Sequence, residues 1–123
     1  MKYYVVIPAY NEQDFIEATL QSLVKQSVLP TQVVVVNDSS TDKTAEIVNE
    51  FVQKFDFIRL VNKQSNSVHL PGSKVIRAFE AGFAVLDDAY DIIVKLDADL
   101  ILPTTYFETV LQHFKSDSQI AMV

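Results

Sequence analysis

The sequence predicts an α/β fold in which a mostly parallel sheet carries helices on both faces. Short apolar runs, too continuous for half-exposed strands, alternate with stretches whose apolar residues recur at helical spacing. The resulting order, βαβαβαβαβ, is the one in which every parallel crossover is made by a covering helix. The 123 residues suffice for one such layered core and are too few for two complete lobes, so residues 1–123 are expected to form a single domain.

The elements follow in order. Tyr3 to Ile7 reads as the first strand, and Phe15, Ile16, Leu20, Leu23 and Val24 form a stripe that predicts the first helix. Val33 to Val36 is the second strand, followed by a stripe of Ala45, Val48, Phe51, Val52 and Phe55. Phe57 to Val61 is the third, and Ile76, Phe79, Phe83 and Leu86 mark the helix behind it. Ile92 to Leu96 is the fourth, followed by Phe107, Val110, Leu111 and Phe114, with Pro103 suited to that helix's first turn. Ile120 to Val123 reads as a fifth strand, and Asn62 to Gly72, rich in Ser and Asn, as the one long loop.

Composition removes several function classes. Ten Lys and Arg against sixteen Asp and Glu give a net charge of -6, the wrong sign for a surface that neutralises a phosphate backbone, so no nucleic-acid partner is expected. The chain has no cysteine and only two histidines, His69 and His113, so any metal would be a hard cation held by carboxylates. Gly72 and Gly82 are the only glycines, which excludes phosphate loops built on repeated glycine. No apolar run approaches the roughly 18 residues of a membrane span. Met1 to Pro8 lacks the length and cleavage site of a signal peptide. The expected location is the cytoplasm, at the inner face of the membrane for a longer protein.

Ligands of such sheets bind outside the carboxyl ends of the strands, where the strand order reverses. Polar clusters stand at three of these exits: Pro8-Ala9-Tyr10-Asn11-Glu12, Asn37-Asp38-Ser39-Ser40-Thr41-Asp42 and Asp97-Ala98-Asp99. Residues two apart in extended chain face one side, so Asp97 and Asp99 would share a site. Their repulsion is relieved by a divalent cation that bridges a carboxylate and a diphosphate, though a solvated turn would show the same residues. Ser40, Thr41 and Asp42 are expected to cap the second helix. Asp38 precedes them and is placed to accept the N3 hydrogen of a uracil-like base, worth about 1.5 to 3 kcal/mol. Tyr10 either stacks on a base, for about 1 to 3 kcal/mol, or covers the sheet end. Glu12 is either a ligand contact or an acid in the first turn of helix one, the commoner use. Lys74 and Arg77 either reach a diphosphate or are solvated helix cations.

Together Val6-Ile7-Pro8-Ala9-Tyr10-Asn11-Glu12, Val36-Asn37-Asp38-Ser39-Ser40-Thr41-Asp42 and Leu96-Asp97-Ala98-Asp99 resemble family 2 glycosyltransferases of the GT-A fold, and the resemblance covers the whole chain. It implies that the segment Pro8 to Glu12 lines a nucleobase pocket, Asp38 binds the base, Asp97 approaches the ribose, and Asp99 binds Mn2+ or Mg2+ at the diphosphate. The implied donor is a nucleotide-sugar, usually a UDP-sugar, and the implied reaction is inverting and metal-dependent. Its acceptor would be a glycan, a lipid-linked molecule or a protein. The family often has Asp where this chain has Asn37 and Gly where it has Ser39, so a tight turn is made here by a residue with a side chain. The family's Asn in the third helix is replaced around Glu80. Only 24 residues follow Asp99, and the resemblance implies that this chain is the donor-binding half, with the acceptor-binding half and the catalytic base absent. An exposed sheet edge and self-association are expected to follow.

Three rivals remain in view. A haloacid dehalogenase-type phosphatase opens its domain with a strand-end DxD, whereas this one comes late, and a receiver-like module would need its acids at other strands. A non-catalytic nucleotide-binding or interaction module shares every feature above.

Overall fold

The computed structural model describes residues 1–63 and 73–116, without the side chains of 73–76 and 116. Among them are four strands and four helices in strict alternation: β1 (Tyr3–Ala9), α1 (Ile16–Val24), β2 (Gln32–Asp38), α2 (Thr44–Lys54), β3 (Ile58–Lys63), α3 (Ser73–Ala84), β4 (Ile92–Lys95) and α4 (Tyr106–Ser116). The strands form one parallel sheet in the order β3-β2-β1-β4. The expected fifth strand lies outside the described residues, as does the 64–72 part of the long loop.

The chain steps outward from β1 through β2 to β3, and α3 then carries it back to the far side of β1. Right-handed crossovers put helices that step in opposite directions on opposite faces. On one face α1, α2 and α4 bury Ile16, Leu20, Leu23, Val48, Phe51, Phe107 and Leu111 against Tyr3, Val5, Ile7, Val33 and Val35. On the other, Ala78 of α3 packs on Val6, Val34 and Val36. Both faces of β1 and β2 are thus covered, which is why these strands read as unbroken apolar runs.

Two residues expected in the core are not there. Phe15 stands just before α1 and is 52% exposed, because the helix starts at Ile16 and turns Ile16, Leu20 and Leu23 inward. Phe83 is 41% exposed, because α3 approaches the sheet through small residues instead. A Cβ on Gly82 would lie 2.6 Å from Val6 Cγ1 and 2.8 Å from Val36 Cγ2, so glycine there sets how closely α3 seats. Pro103 also lies outside α4, three residues before it, where its carbonyl accepts the Tyr106 N–H at 3.0 Å.

The strands end unevenly. β4 pairs with β1 only from Tyr3 to Val6, whereas β2 pairs with it as far as Ala9. A notch is left at the carboxyl edge between β1 and β4, where the strand order reverses.

Candidate functional site

An open cleft of about 360 Å3 occupies that notch, lined by Pro8, Ala9, Tyr10, Glu12, Asp38, Ala78, Asp97, Ala98 and Asp99. Three strand exits meet there, as expected. Arg77 is not among the described lining residues. Arg77 is exposed on α3, and the side chain of Lys74 lies outside the described residues.

The wall formed by Tyr10 to Glu12 is held by a clasp between two loops. Asn11 adopts a left-handed conformation, φ 52°, tolerated by asparagine better than by most residues. Its N–H donates to Ser40 Oγ at 3.0 Å, and its Oδ1 accepts the Thr41 N–H at 2.8 Å. The Glu12 N–H donates to Thr44 Oγ1 at 2.9 Å, and the Gln13 N–H to Asp42 Oδ2 at 3.2 Å. Ser40 and Thr41 therefore do not cap α2 as expected, because the first loop takes up their hydrogen-bonding groups. Asp42 alone retains a cap-like contact, its Oδ1 accepting the Thr44 N–H at 2.9 Å. Burial opposes its charge, but the bonds from the Thr44 hydroxyl and from the Thr44 and Gln13 N–H groups outweigh this and hold its carboxyl below the usual range.

Asp38 closes β2 as a buried side chain, with Lys63 Nζ 3.9 Å from its Oδ1. It does not cap α2, which begins six residues later at Thr44. Ser39 turns the chain at φ 63°, so the position where glycine is common is indeed a left-handed one. Its hydroxyl donates to the Lys63 carbonyl at 3.1 Å and ties the turn to β3.

Asp97 and Asp99 flank the cleft from a turn, not from strand alternation, since β4 ends at Lys95. Asp97 is exposed and lies 3.4 Å from Lys95 Nζ. Between the acids, buried Ala98 presents its carbonyl to the Thr19 hydroxyl at 2.9 Å. Glu12 stands opposite, four residues before α1 and so outside its first turn. Burial pushes its carboxyl above the ordinary value, and the negative charges of Asp99, Asp42 and Asp97 push it further.

These acids offer only hard oxygen donors, the chemistry that suits Mg2+ or Mn2+. Among the described residues, no three Asp, Glu, His or Cys side chains form a group able to hold a metal ion.

A family profile described as Glycosyl transferase family 2 matches residues 4–123. The chain belongs to glycosyl transferase family 2. The relative named "Probable glycosyltransferase YdaM" of Bacillus subtilis (strain 168) is 40% identical over 98 residues, 77% of this chain and 22% of that protein. The structure of S. aureus TarS 1-349 in complex with UDP is 26% identical, with a TM-score of 0.77 over 96% of this chain and 33% of that one. Glucosyl-3-phosphoglycerate synthase from Mycobacterium tuberculosis, solved with Mn2+, UDP and glucosyl-3-phosphoglycerate, is 26% identical. Its TM-score is 0.62 over 93% of this chain and 39% of that one. The family 2 chain described here thus spans between about a fifth and two fifths of these proteins, and its α/β architecture is the GT-A one.

Sequence reasoning missed Ala78 and Thr19, and gave Ala98 no role beyond its place in the motif. Ala78 was legible as a small residue four positions before Gly82, the spacing of one helix face. Thr19 carried no local signal, because its partner lies 79 positions away. Among the described residues, no helix is long and apolar enough to cross a membrane.

Proposed function

We propose that the chain is the donor-binding portion of an inverting, metal-dependent glycosyltransferase whose donor is a UDP-sugar. The observation that carries this is the meeting of seven sequence-designated residues, Pro8, Ala9, Tyr10, Glu12, Asp38, Asp97 and Asp99, in one cleft at the strand-order reversal. UDP in two solved structures of like fold supports the choice of nucleotide, and Mn2+ in one of them supports the choice of metal.

In this reading the uracil enters between Tyr10 and Asp38. A buried carboxylate at the end of β2 accepts the N3–H, and the exposed Tyr10 ring stacks on the base. Asp97 meets the ribose, and Asp99 holds Mn2+ or Mg2+. That cation, when bound, supplies positive charge to the diphosphate leaving group. Asp99 and its neighbours otherwise present like charge to the diphosphate, so they select against a donor without a cation. In the inverting transfer the acceptor oxygen forms its bond to the anomeric carbon as the bond to the diphosphate oxygen breaks, and a base takes the hydroxyl proton. That base and the acceptor site are assigned to the remainder of a longer protein, with a glycan, lipid-linked or protein acceptor.

Calorimetry of UDP with Mn2+ and with chelator tests the reading. UDP is expected to bind more tightly with Mn2+, and Asp99→Ala to erase most of the difference. Equal affinity in both arms for the parent chain would remove the metal from the assignment.

A further inference from the structure

The turn that carries Asp97 and Asp99 lies beyond the end of the ladder. Among the described residues its last backbone tie to the sheet is the Leu96 N–H on the Val6 carbonyl at 3.0 Å, and within the turn the Leu100 N–H reaches the Asp97 carbonyl only at 3.4 Å. Between two exposed acids, the Ala98 peptide faces inward and is buried. A rotation of that peptide would redirect both carboxylates, so whatever holds it sets their aim into the cleft.

Thr19 of α1 holds it. The side chain is fully buried, with Oγ1 2.9 Å from the Ala98 carbonyl and 3.2 Å from the Phe15 carbonyl. A hydroxyl has one proton. A threonine inside a helix commonly gives it to the carbonyl four residues back. Here that carbonyl already accepts the Thr19 N–H at 3.1 Å, and the hydroxyl has a shorter contact to Ala98. A second α1-side anchor, Gln26, acts further on: its amide reaches the Pro103 carbonyl at 2.7 Å and the Phe107 N–H at 3.1 Å, fixing the start of α4.

We infer that Thr19 is a positioning residue for the nucleotide-diphosphate site, acting through the Ala98 carbonyl to orient Asp97 and Asp99. The inference rests on the donor-binding reading above. Loss of a residue that orients a metal-holding group from behind typically costs about 10- to 100-fold in metal affinity. Threonine meets both demands of the position, an apolar methyl for the core and a donor for the turn.

The test is UDP binding to the full chain, in Mn2+ and in chelator, for the parent, Thr19→Val and Thr19→Ser. Thr19→Val keeps the shape and is expected to lower Mn2+-supported UDP affinity about tenfold while leaving the affinity in chelator within about twofold. Thr19→Ser keeps the hydroxyl and is expected to match the parent in both arms. Equal losses in the two arms, or no loss in either, would overturn the inference and leave Thr19 a core residue. A parent that binds UDP equally with and without Mn2+ would instead overturn the donor reading itself, and the inference with it. Should Thr19→Val lose its thermal transition, Thr19→Ala is read in the same two arms. If that variant is unfolded as well, the hydroxyl serves stability and the positioning role falls.

Discussion

Asp38 shows how much one carboxylate is asked to do. It is buried at the end of β2 with Lys63 Nζ at 3.9 Å, so its charge is offset within the fold before any ligand arrives. Removing it leaves the half-buried Lys63 without that partner and deprives a base of its acceptor. Asp38→Ala is therefore expected to weaken UDP by more than it weakens pyrophosphate, which lacks the base. The base contact itself is worth about 1.5 to 3 kcal/mol, roughly ten- to hundredfold in affinity. Parallel titrations of the two ligands check it, and an equal loss for both would place Asp38 away from the base. Such acids were legible because each follows an apolar strand, and strand exits are where α/β sheets bind ligands. What Ser40 and Thr41 do was not legible. Their residue types suit helix caps, and only the fold brings Asn11, 29 and 30 positions away, to claim them.

At the scale of elements, α3 is the informative case. Phe79 packs against the core as its periodicity predicts, but reading Phe83 as buried gave weight to size, whereas Ala78 and Gly82 make the close approach. A face that seats near a sheet of valines needs small residues, and hydrophobicity alone does not distinguish a seat from a rim. Gly82→Ala gains about 1 kcal/mol of helix propensity. Against that, the new methyl meets Val6 and Val36 below 3.0 Å, and overpacking of this kind costs about 1 to 3 kcal/mol. Valine is stiff about χ1 and yields poorly, so the net effect is expected to be a lower melting temperature by a few degrees. An unchanged or higher melting temperature would show that α3 shifts outward freely. The chain just after α3 is stapled to β1 by the Tyr4 hydroxyl, which donates to Asp87 Oδ1 at 2.6 Å. That bond, with burial and the charges of Asp87 and Asp88, pushes the phenol up to about 12 from 10.0. The same bond, with the Ala89 N–H, holds the Asp87 carboxyl below 3.8. A raised folded value means stabilisation that is present below pH 10.0 and lost as pH rises toward 12. A depressed one means stabilisation that is present above pH 3.8 and lost as pH falls through the lower folded value. The contribution of this pair to stability should be level between these limits and decline outside both. Tyr4→Phe is expected to flatten the alkaline decline, while burial of Tyr3, whose phenol is also pushed up, preserves part of it. Melting temperatures across pH decide this, and an alkaline limb unaltered by Tyr4→Phe would exclude the staple.

For the whole molecule, the decisive feature is the asymmetry of the sheet. β3 and β4 are the outer strands among the described residues, and β4 is the shorter, four residues whose described partner is β1. Close to its exit, Leu100 is 43% exposed and Ile101 71%, and Tyr106 is also exposed. An outer strand offers unpaired backbone groups, and a neighbouring apolar patch gives a second chain something to bury. The 123-residue chain is therefore expected to self-associate, with a dimer or larger species by light scattering that Ile101→Glu shifts toward monomer. The same chain is expected to bind donor without transferring sugar. In the proposed reading the described acids lining the cleft, Glu12, Asp38, Asp97 and Asp99, already face the nucleotide-sugar, so none of these four is left to take a proton from an acceptor hydroxyl. UDP release above the metal-only background should accordingly be absent when UDP-sugars are offered with candidate acceptors. The two expectations separate cleanly. A monomeric parent would remove the argument from the sheet edge and leave the site untouched, whereas sugar transfer by the isolated chain would mean that one of the four acids serves the acceptor instead.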